Sequence, residues 1–268
     1  MNTGGLVMKK VIVTVDTEGH IGRDPVRHLI WGITNDGSEY GIDHIMDICE
    51  EFDAKVLFFV DIAEAWHFGK QSIASVIEHI IERGHDVGVH IHPDHMADGN
   101  RLFLWEYSKE EQYEIINECT EFYKKVVGKA PIAFRAGKYG ANRDTLYILN
   151  ELGYKYDFSQ FYGQKWCGIN PPVAITLPQK YRNIMEFPVT VFRSLKIGPI
   201  VRYDKIDAVM NEFEYKNIMK QIGKIDRNIV VSLFYHSFSM LDWHDTPDNP
   251  RFNKRREEKF VKALKFIH

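Results

Sequence analysis

Short segments that are apolar along their whole length recur in this sequence and alternate with segments of helical periodicity. Residues 11–15 (VIVTV), 56–60 (VLFFV) and 229–235 (IVVSLFY) are three of them. Strands with this pattern are buried on both faces, which is typical of parallel sheets that helices cover on each side. The alternation therefore predicts an α/β fold of parallel strands with crossover helices, and about seven such repeats favour an irregular barrel over an open sheet.

Local signals place helices between these strands. Ser108 and Glu111 form a capping box that predicts a helix over 109–127, which Gly128 ends. Ser72 is a candidate N-cap and Gly84 a candidate stop for a helix over 72–83. The irregular segment 160–182 is predicted to be a long active-site loop. The other predicted helices are 39–52, 142–152, 205–222 and 253–267, and the other predicted strands are 86–92, 132–135, 156–159 and 184–189.

One domain is expected over residues 1–268, with a core at about 9–240 and a C-terminal helix at about 253–267, because no linker or repeat divides the chain. The formal net charge of −3 gives no reason to expect nucleic acid as a partner. No apolar run approaches the roughly 20 residues of a membrane-spanning helix. Three widely spaced cysteines and an N-terminus without a signal-peptide pattern lead us to expect a cytoplasmic protein. The oligomeric state is left open.

Three histidines, His90, His92 and His95, lie within residues 88–95 (GVHIHPDH) at the end of one apolar strand. Side chains two residues apart point to the same face of a strand, so the first two imidazoles can meet at one point. His95 follows Pro93, where the chain must turn. A core histidine bonded to the backbone is the alternative for any one of them. Imidazoles gathered in this way are typical ligands of zinc-type cations, so the sequence predicts a metal site here.

Chemically capable side chains also stand at the ends of three other predicted strands. Asp16 and Glu18 end the first strand, Arg135 ends the fourth and His236 ends a late one. Because functional groups collect at the carboxyl ends of parallel strands, we expect them to surround one cavity. One carboxylate would complete the metal site and the other would act as a general base, with Arg135 paired to that base and His236 as an acid.

Each of these residues also has a structural interpretation. Asp16 or Glu18 could cap the turn at Gly19, Arg135 could form an ion pair at the rim, and His236 could be a buried structural histidine. Their shared position at strand ends favours the chemical interpretation, which is a metal-dependent hydrolase.

Taken in order along the chain, these segments resemble the polysaccharide deacetylase family, also called the NodB-homology or carbohydrate esterase family 4 group. The resemblance covers about residues 9–240. The His-x-His-Pro and Phe-Arg-Ala-Gly-x-Tyr-Gly patterns are most similar to its WalW-like branch. The segments that carry the resemblance are 14–19 (TVDTEG), 54–60 (AKVLFFV), 88–95 (GVHIHPDH), 134–140 (FRAGKYG), 152–159 (LGYKYDFS) and 234–239 (FYHSFS).

The resemblance implies a distorted (β/α)7 barrel and metal-dependent removal of acetyl groups from N-acetylated sugars. It also implies that Asp16 is the base, that Glu18 is a metal ligand, that His236 is the general acid and that Arg135 orients Asp16. The family pattern has two adjacent acids, whereas Thr17 separates them here.

The resemblance leaves the metal ligands of the histidine segment open. The family's spacing of i and i+4 would join His90 to Asp94. Strand geometry favours His92 as the second ligand, and the turn after Pro93 favours His95. We expect a divalent cation, Zn²⁺ first, with Co²⁺ or another transition metal as alternatives.

The function that we expect is hydrolysis of a carbon–nitrogen bond in an N-acetylated sugar. The substrate would be a small molecule or an oligosaccharide that belongs to a surface-polysaccharide precursor. A catalytically inactive sugar-binding protein on the same barrel is one alternative. A glycoside hydrolase that uses Asp16 and Glu18 is another, but both acids come from one strand and would approach the sugar from the same side.

Overall fold

The computed structural model describes residues 9–20, 22–96, 99–169, 177–207, 210–226 and 228–267. Its strands are β1 (Lys9–Thr17), β2 (Val56–Asp61), β3 (Asp86–Ile91), β4 (Ala133–Ala136), β5 (Tyr156–Asp157), β6 (Gln179–Tyr181), β7 (Ile184–Glu186), β8 (Val191–Ile197), β9 (Ile200–Lys205), β10 (Ile229–His236), β11 (Leu241–Asp242) and β12 (Arg251–Phe252). Its helices are α1 (Ile42–Glu50), α2 (Glu64–His67), α3 (Lys70–Glu82), α4 (Lys109–Val127), α5 (Arg143–Glu151), α6 (Glu212–Gly223) and α7 (Lys254–Ile267).

The main sheet has eight strands in the order β10-β1-β2-β3-β4-β5-β7-β6. All neighbours are parallel except the last pair, β7 and β6, which is antiparallel. Helices connect most of the consecutive parallel strands, because a parallel pair needs a crossover connection. The sheet is strongly curled but not closed within the described part of the chain. The predicted α/β fold of the distorted (β/α)7 barrel type is thereby confirmed.

The register of the sheet aligns the titratable and polar residues at the carboxyl ends of its strands, so that they lie side by side. Asp16 on β1 pairs with His236 on β10, and His90 on β3 pairs with Arg135 on β4. Asp61, the last residue of β2, also pairs with His90. All these strands run in the same direction, so their carboxyl ends form one edge of the half-barrel, where parallel α/β folds carry their sites.

Helices hold the strands in place through their apolar faces. Ile45 and Cys49 of α1, and Ile73 and Ile77 of α3, are completely buried in the main core. Burying one such isoleucine contributes about 1.5–3 kcal/mol. The strand ends therefore stand on a well-packed scaffold.

The capping signals give different results at two helices. At α4 the expected box is present, because Ser108 Oγ accepts from the Glu111 amide and Glu111 Oε2 accepts from the Ser108 amide. At α3 the predicted helix is present but its predicted N-cap was wrong, since the helix begins at Lys70 after Gly69, whose φ of 104° is accessible to glycine. Ser72 therefore lies inside the first turn and caps nothing.

The predicted helix over 205–222 was wrong in its first part. Residues 200–205 form β9, which pairs with β8 in an antiparallel hairpin. The helix begins only at Glu212, after Asn211, whose side chain accepts from the Glu214 amide. In the predicted loop 160–182, the described residues up to 169 form turns, residues 170–176 lie outside the described part, and β6 occupies 179–181.

No helix among the described residues is long and apolar enough to cross a membrane.

Candidate metal and catalytic site

Glu18, His90 and His92 form a buried cluster at the carboxyl edge of the sheet. One potential ligand atom from each residue lies within 4.8 Å of those of the other two. Glu18 Oε2 is 2.8 Å from His92 Nε2 and 3.4 Å from His90 Nε2. Ligands bound at about 2.0–2.1 Å to one cation are separated by about 2.8–3.4 Å at angles between octahedral and tetrahedral. The spacing therefore fits a single first-row divalent cation with room for a further ligand.

His90 also has the outer partner that metal-bound histidines require. Its Nδ1 lies 2.8 Å from the carbonyl oxygen of Arg135, an acceptor that selects the tautomer protonated at Nδ1. Nε2 then faces Glu18, where it would offer its lone pair to a cation held between them. Histidine ligands are usually oriented in this way, by a second hydrogen bond to a carbonyl or a carboxylate.

Asp16 stands beside this cluster and is held by Arg135. The guanidinium donates to Asp16 Oδ1 at 2.5 Å and to Thr14 Oγ1 at 3.0 Å. Arg135 is 1% exposed and its guanidinium lies over the ring of Phe59. The other carboxylate oxygen, Oδ2, is 3.9 Å from His90 Nε2. Asp16 is thus an oriented carboxylate next to the position that a cation would take.

The imidazoles around Glu18 stabilise its charged form. Burial alone would raise the pKa of Glu18, but the imidazoles of His92, His20 and His90 hold it well below its usual range. Burial alone would lower the pKa of His90, but Asp16 and Glu18 raise it to about 9. A divalent cation would supply the same compensation.

His236 approaches the cluster from the opposite side. Its Nε2 is 3.5 Å from Glu18 Oε1, and its ring stacks on Phe238 at 4.8 Å between centroids. Burial lowers the pKa of His236, while Glu18 and Asp16 oppose that effect. The imidazole is positioned to exchange a proton with a group bound between it and Asp16.

His95 points elsewhere. Its Nδ1 is 3.1 Å from Asp61 Oδ2, and its ring stacks on His67. With Asp61 and Glu64 it forms a second group of potential ligands, separate from that of Glu18. Asp94 belongs to neither group within the described residues. The structure thus brings His90 and His92, but not His95, to Glu18.

Sequence reasoning overlooked several residues of the site. His20 lies 3.1 Å from Glu18 Oε1 and stacks on Trp243. Asp61 accepts from the amide of His92, and its position at the end of an apolar strand was a signal that could have found it. Lys205 had no such signal, because it was predicted to begin a helix, whereas it is the last residue of β9.

Lys205 links the cluster to a groove of about 690 Å³. Its ammonium group lies 3.8 Å from the centre of the Phe234 ring and is close enough to Asp16 and Glu18 to interact electrostatically. Burial lowers the pKa of this lysine. Aromatic rings form much of the groove wall. Its aromatic lining residues are Phe103, Tyr139, Phe161, Tyr162, Trp166 and Tyr203.

Comparisons with known proteins agree with this arrangement at the level of family and fold. The sequence profile "Polysaccharide deacetylase" matches residues 24–156, a segment that includes His90, His92 and Arg135. A search of curated proteins gave no significant match.

Two solved structures are similar to this one over nearly its whole length. A protein from Mycobacterium smegmatis assigned as a polysaccharide deacetylase is 15% identical, with 98% of this chain and 86% of the other covered and a TM-score of 0.58. Puue allantoinase is 11% identical, with 96% and 84% covered and a TM-score of 0.57. At these identities the similarity establishes the fold alone.

Proposed function

We propose that this chain, which belongs to the polysaccharide deacetylase family, is a metal-dependent N-deacetylase of an N-acetylated sugar. The observation that carries the proposal is the buried cluster of Glu18, His90 and His92 directly beside the Asp16–Arg135 pair. Amide hydrolysis needs an electrophilic centre for the carbonyl, a base for water and an acid for the departing nitrogen. This edge of the sheet offers a group for each role.

Glu18, His90 and His92 would hold the cation, which supplies Lewis acidity to the acyl carbonyl and to the attacking water. Asp16 accepts the proton of the water molecule at Oδ2, because Oδ1 is occupied by Arg135. His236, on the other side of Glu18, delivers a proton to the amine that leaves. The buried wall around them limits the access of bulk water.

The groove supports a sugar as the substrate. Tyr139 and Lys205 line the groove and are close enough to Asp16 and Glu18 to interact with them electrostatically. Trp166 lies in the groove wall. Apolar rings with a few polar groups among them are typical of ligand sites, and the rings offer flat faces on which a sugar ring can rest. We infer that the substrate is a surface-polysaccharide precursor. We also infer from the FRAGKYG segment that the chain belongs to the WalW-like branch. The buried free thiols of Cys49, Cys119 and Cys167 are compatible with a cytoplasmic location.

The decisive experiment is acetate release from N-acetylglucosamine oligosaccharides by protein loaded with Zn²⁺ or Co²⁺. We expect release by the wild type, and a loss of kcat of about 10²–10⁴-fold in Asp16→Asn and in His236→Gln with the metal still bound. Asp16→Asn keeps the shape of the side chain but cannot accept the proton.

Three results would change the proposal. Full activity in either variant removes that residue from the mechanism. An absence of acetate release from any N-acetylated sugar, together with retained sugar binding, favours an inactive sugar-binding protein. Release of reducing sugar without acetate favours glycoside hydrolysis by Asp16 and Glu18.

A further inference from the structure

A second group of potential ligands, Asp61, Glu64 and His95, lies next to the first. Asp61 ends β2, Glu64 begins α2 and His95 lies in the turn that follows Pro93. One potential ligand atom from each residue lies within 4.8 Å of those of the other two. Asp61 and Glu64 are completely buried. Neither carboxylate has an arginine or lysine partner among the described residues.

The geometry within this group matches that of ligands sharing one ion. Asp61 Oδ2 and His95 Nδ1 are 3.1 Å apart. Two ligands at about 2.0–2.1 Å from the same cation lie at this separation when they subtend roughly 100°. Asp61 Oδ1 accepts from the amides of Ala63 and His92, which fixes the carboxylate in place.

Glu64 provides the observation that points to a ligand. Its Oε1 accepts from the amide of Gly19 at 2.6 Å, whereas its Oε2 is buried and has no hydrogen-bond partner among the described residues. Burial, together with the carboxylates of Asp61 and Glu18, raises the pKa of Glu64 well above its usual range. An unsatisfied buried carboxyl oxygen destabilises the folded protein, and a bound cation would remove that cost.

We propose that Asp61, Glu64 and His95 bind a second divalent cation beside the one held by Glu18, His90 and His92. Two carboxylates and one imidazole form a donor set suited to Mn²⁺, Co²⁺ or Zn²⁺. The two sites are linked through the main chain, because Asp61 holds the amide of His92 and Glu64 holds the amide of Gly19. This inference goes beyond deacetylation, and it does not depend on it.

The test counts bound ions. The protein is saturated with Zn²⁺, separated from unbound ions by gel filtration and analysed by elemental mass spectrometry. We expect two equivalents in the wild type, and one each in His95→Ala, Glu64→Gln and His90→Ala. His67→Ala is the matched control and keeps two, since this imidazole stacks on His95 but belongs to neither group.

Glu64→Gln decides the matter even where His95→Ala folds poorly. The glutamine retains an oxygen for the Gly19 amide, so circular dichroism and thermal unfolding should match the wild type. If Glu64 is only a protonated structural acid, glutamine replaces it without any change in bound zinc, and the proposal is overturned. A single equivalent in the wild type overturns it too. Ion counts are independent of acetate release, so failure of the deacetylase assay is a separate result.

Discussion

The carbonyl oxygen of Arg135 accepts a hydrogen bond from Nδ1 of His90, while the guanidinium of the same residue binds Asp16. One position on β4 therefore orients both a potential metal ligand and the candidate base. The two functions depend on different atoms. The backbone carbonyl is present whatever the side chain is. Only an arginine side chain, however, has the planar guanidinium whose two terminal nitrogens donate to Asp16 and Thr14.

This division predicts that Arg135→Lys separates metal binding from turnover. A lysine cannot bond Asp16 and Thr14 together, so the base loses its orientation and kcat falls by about 10²-fold. His90 keeps its carbonyl partner, so the zinc content is expected to equal that of the wild type. Acetate release and elemental analysis on the same preparation measure the two effects.

The matched control for this variant is Arg182→Lys, which changes an exposed arginine that belongs to neither group of potential ligands. It should leave both kcat and zinc content unchanged. If Arg135→Lys loses zinc as well, the guanidinium also supports the metal ligands, and metal binding and turnover do not depend on separate atoms of Arg135.

The fold could be predicted well where burial determines the sequence. Strands β2 and β10 are buried along nearly their whole length and were recognised as apolar runs. The hairpin of β8 and β9 is largely exposed, with Ile197 and Ile200 more than 60% accessible. Burial therefore does not impose an alternation of apolar and polar residues that would mark these strands in the sequence. The capping box of Asn211 and Glu214 was a usable signal for the true start of α6, which lies later than the predicted start at residue 205.

The site shows the same distinction. Asp16, Glu18 and His90 were predictable as candidates because each belongs to the end of a recognisable strand. Glu64 was not, since α2 has only four residues and gives no helical periodicity. Its importance depends on the amide of Gly19, which lies 45 positions away along the chain. Contacts between residues so far apart in the sequence are set by tertiary packing, and no local sequence pattern indicates them.

Trp166 tests whether the groove binds the substrate. Its ring is stacked with that of Phe103 at 6.2 Å between centroids, and the residue is 40% exposed, so part of it is accessible to a ligand. Removing it in Trp166→Ala should raise KM for an N-acetylglucosamine oligosaccharide by about tenfold, equal to about 1.4 kcal/mol, with kcat little changed. Initial rates over a range of substrate concentrations give both constants.

The control for the groove is Phe213→Ala, which removes a ring that is 80% exposed and lies outside the groove. Its KM should stay at the wild-type value. An unchanged KM in Trp166→Ala would place the sugar elsewhere on the carboxyl edge.

Asp157 and Glu186 form a buried carboxyl pair on β5 and β7 that makes stability depend on pH. Asp157 Oδ1 accepts from Ser159 and Glu186 Oε1 from the amide of Gln160, and the remaining oxygen of each has no other donor among the described residues. One proton shared between the carboxyls satisfies both. Burial and the charge of Asp157 raise the pKa of Glu186 well above its ordinary value of 4.5.

A carboxyl group with a raised pKa keeps a proton in the folded protein that the unfolded chain has released. The free energy of unfolding should therefore decrease as pH rises above about 4.5, by up to about 1.4 kcal/mol per pH unit, until the folded pair ionises. Glu186→Gln replaces the shared proton by an amide that donates to Asp157 and still accepts from Gln160. Its urea-unfolding free energy, measured from pH 5 to pH 8, should decrease less steeply than that of the wild type.

The control is Glu114→Gln, at an exposed position on α4, whose unfolding free energy should depend on pH as that of the wild type does. If the slope for Glu186→Gln equals the slope for this control, the carboxyls of Asp157 and Glu186 do not share a proton.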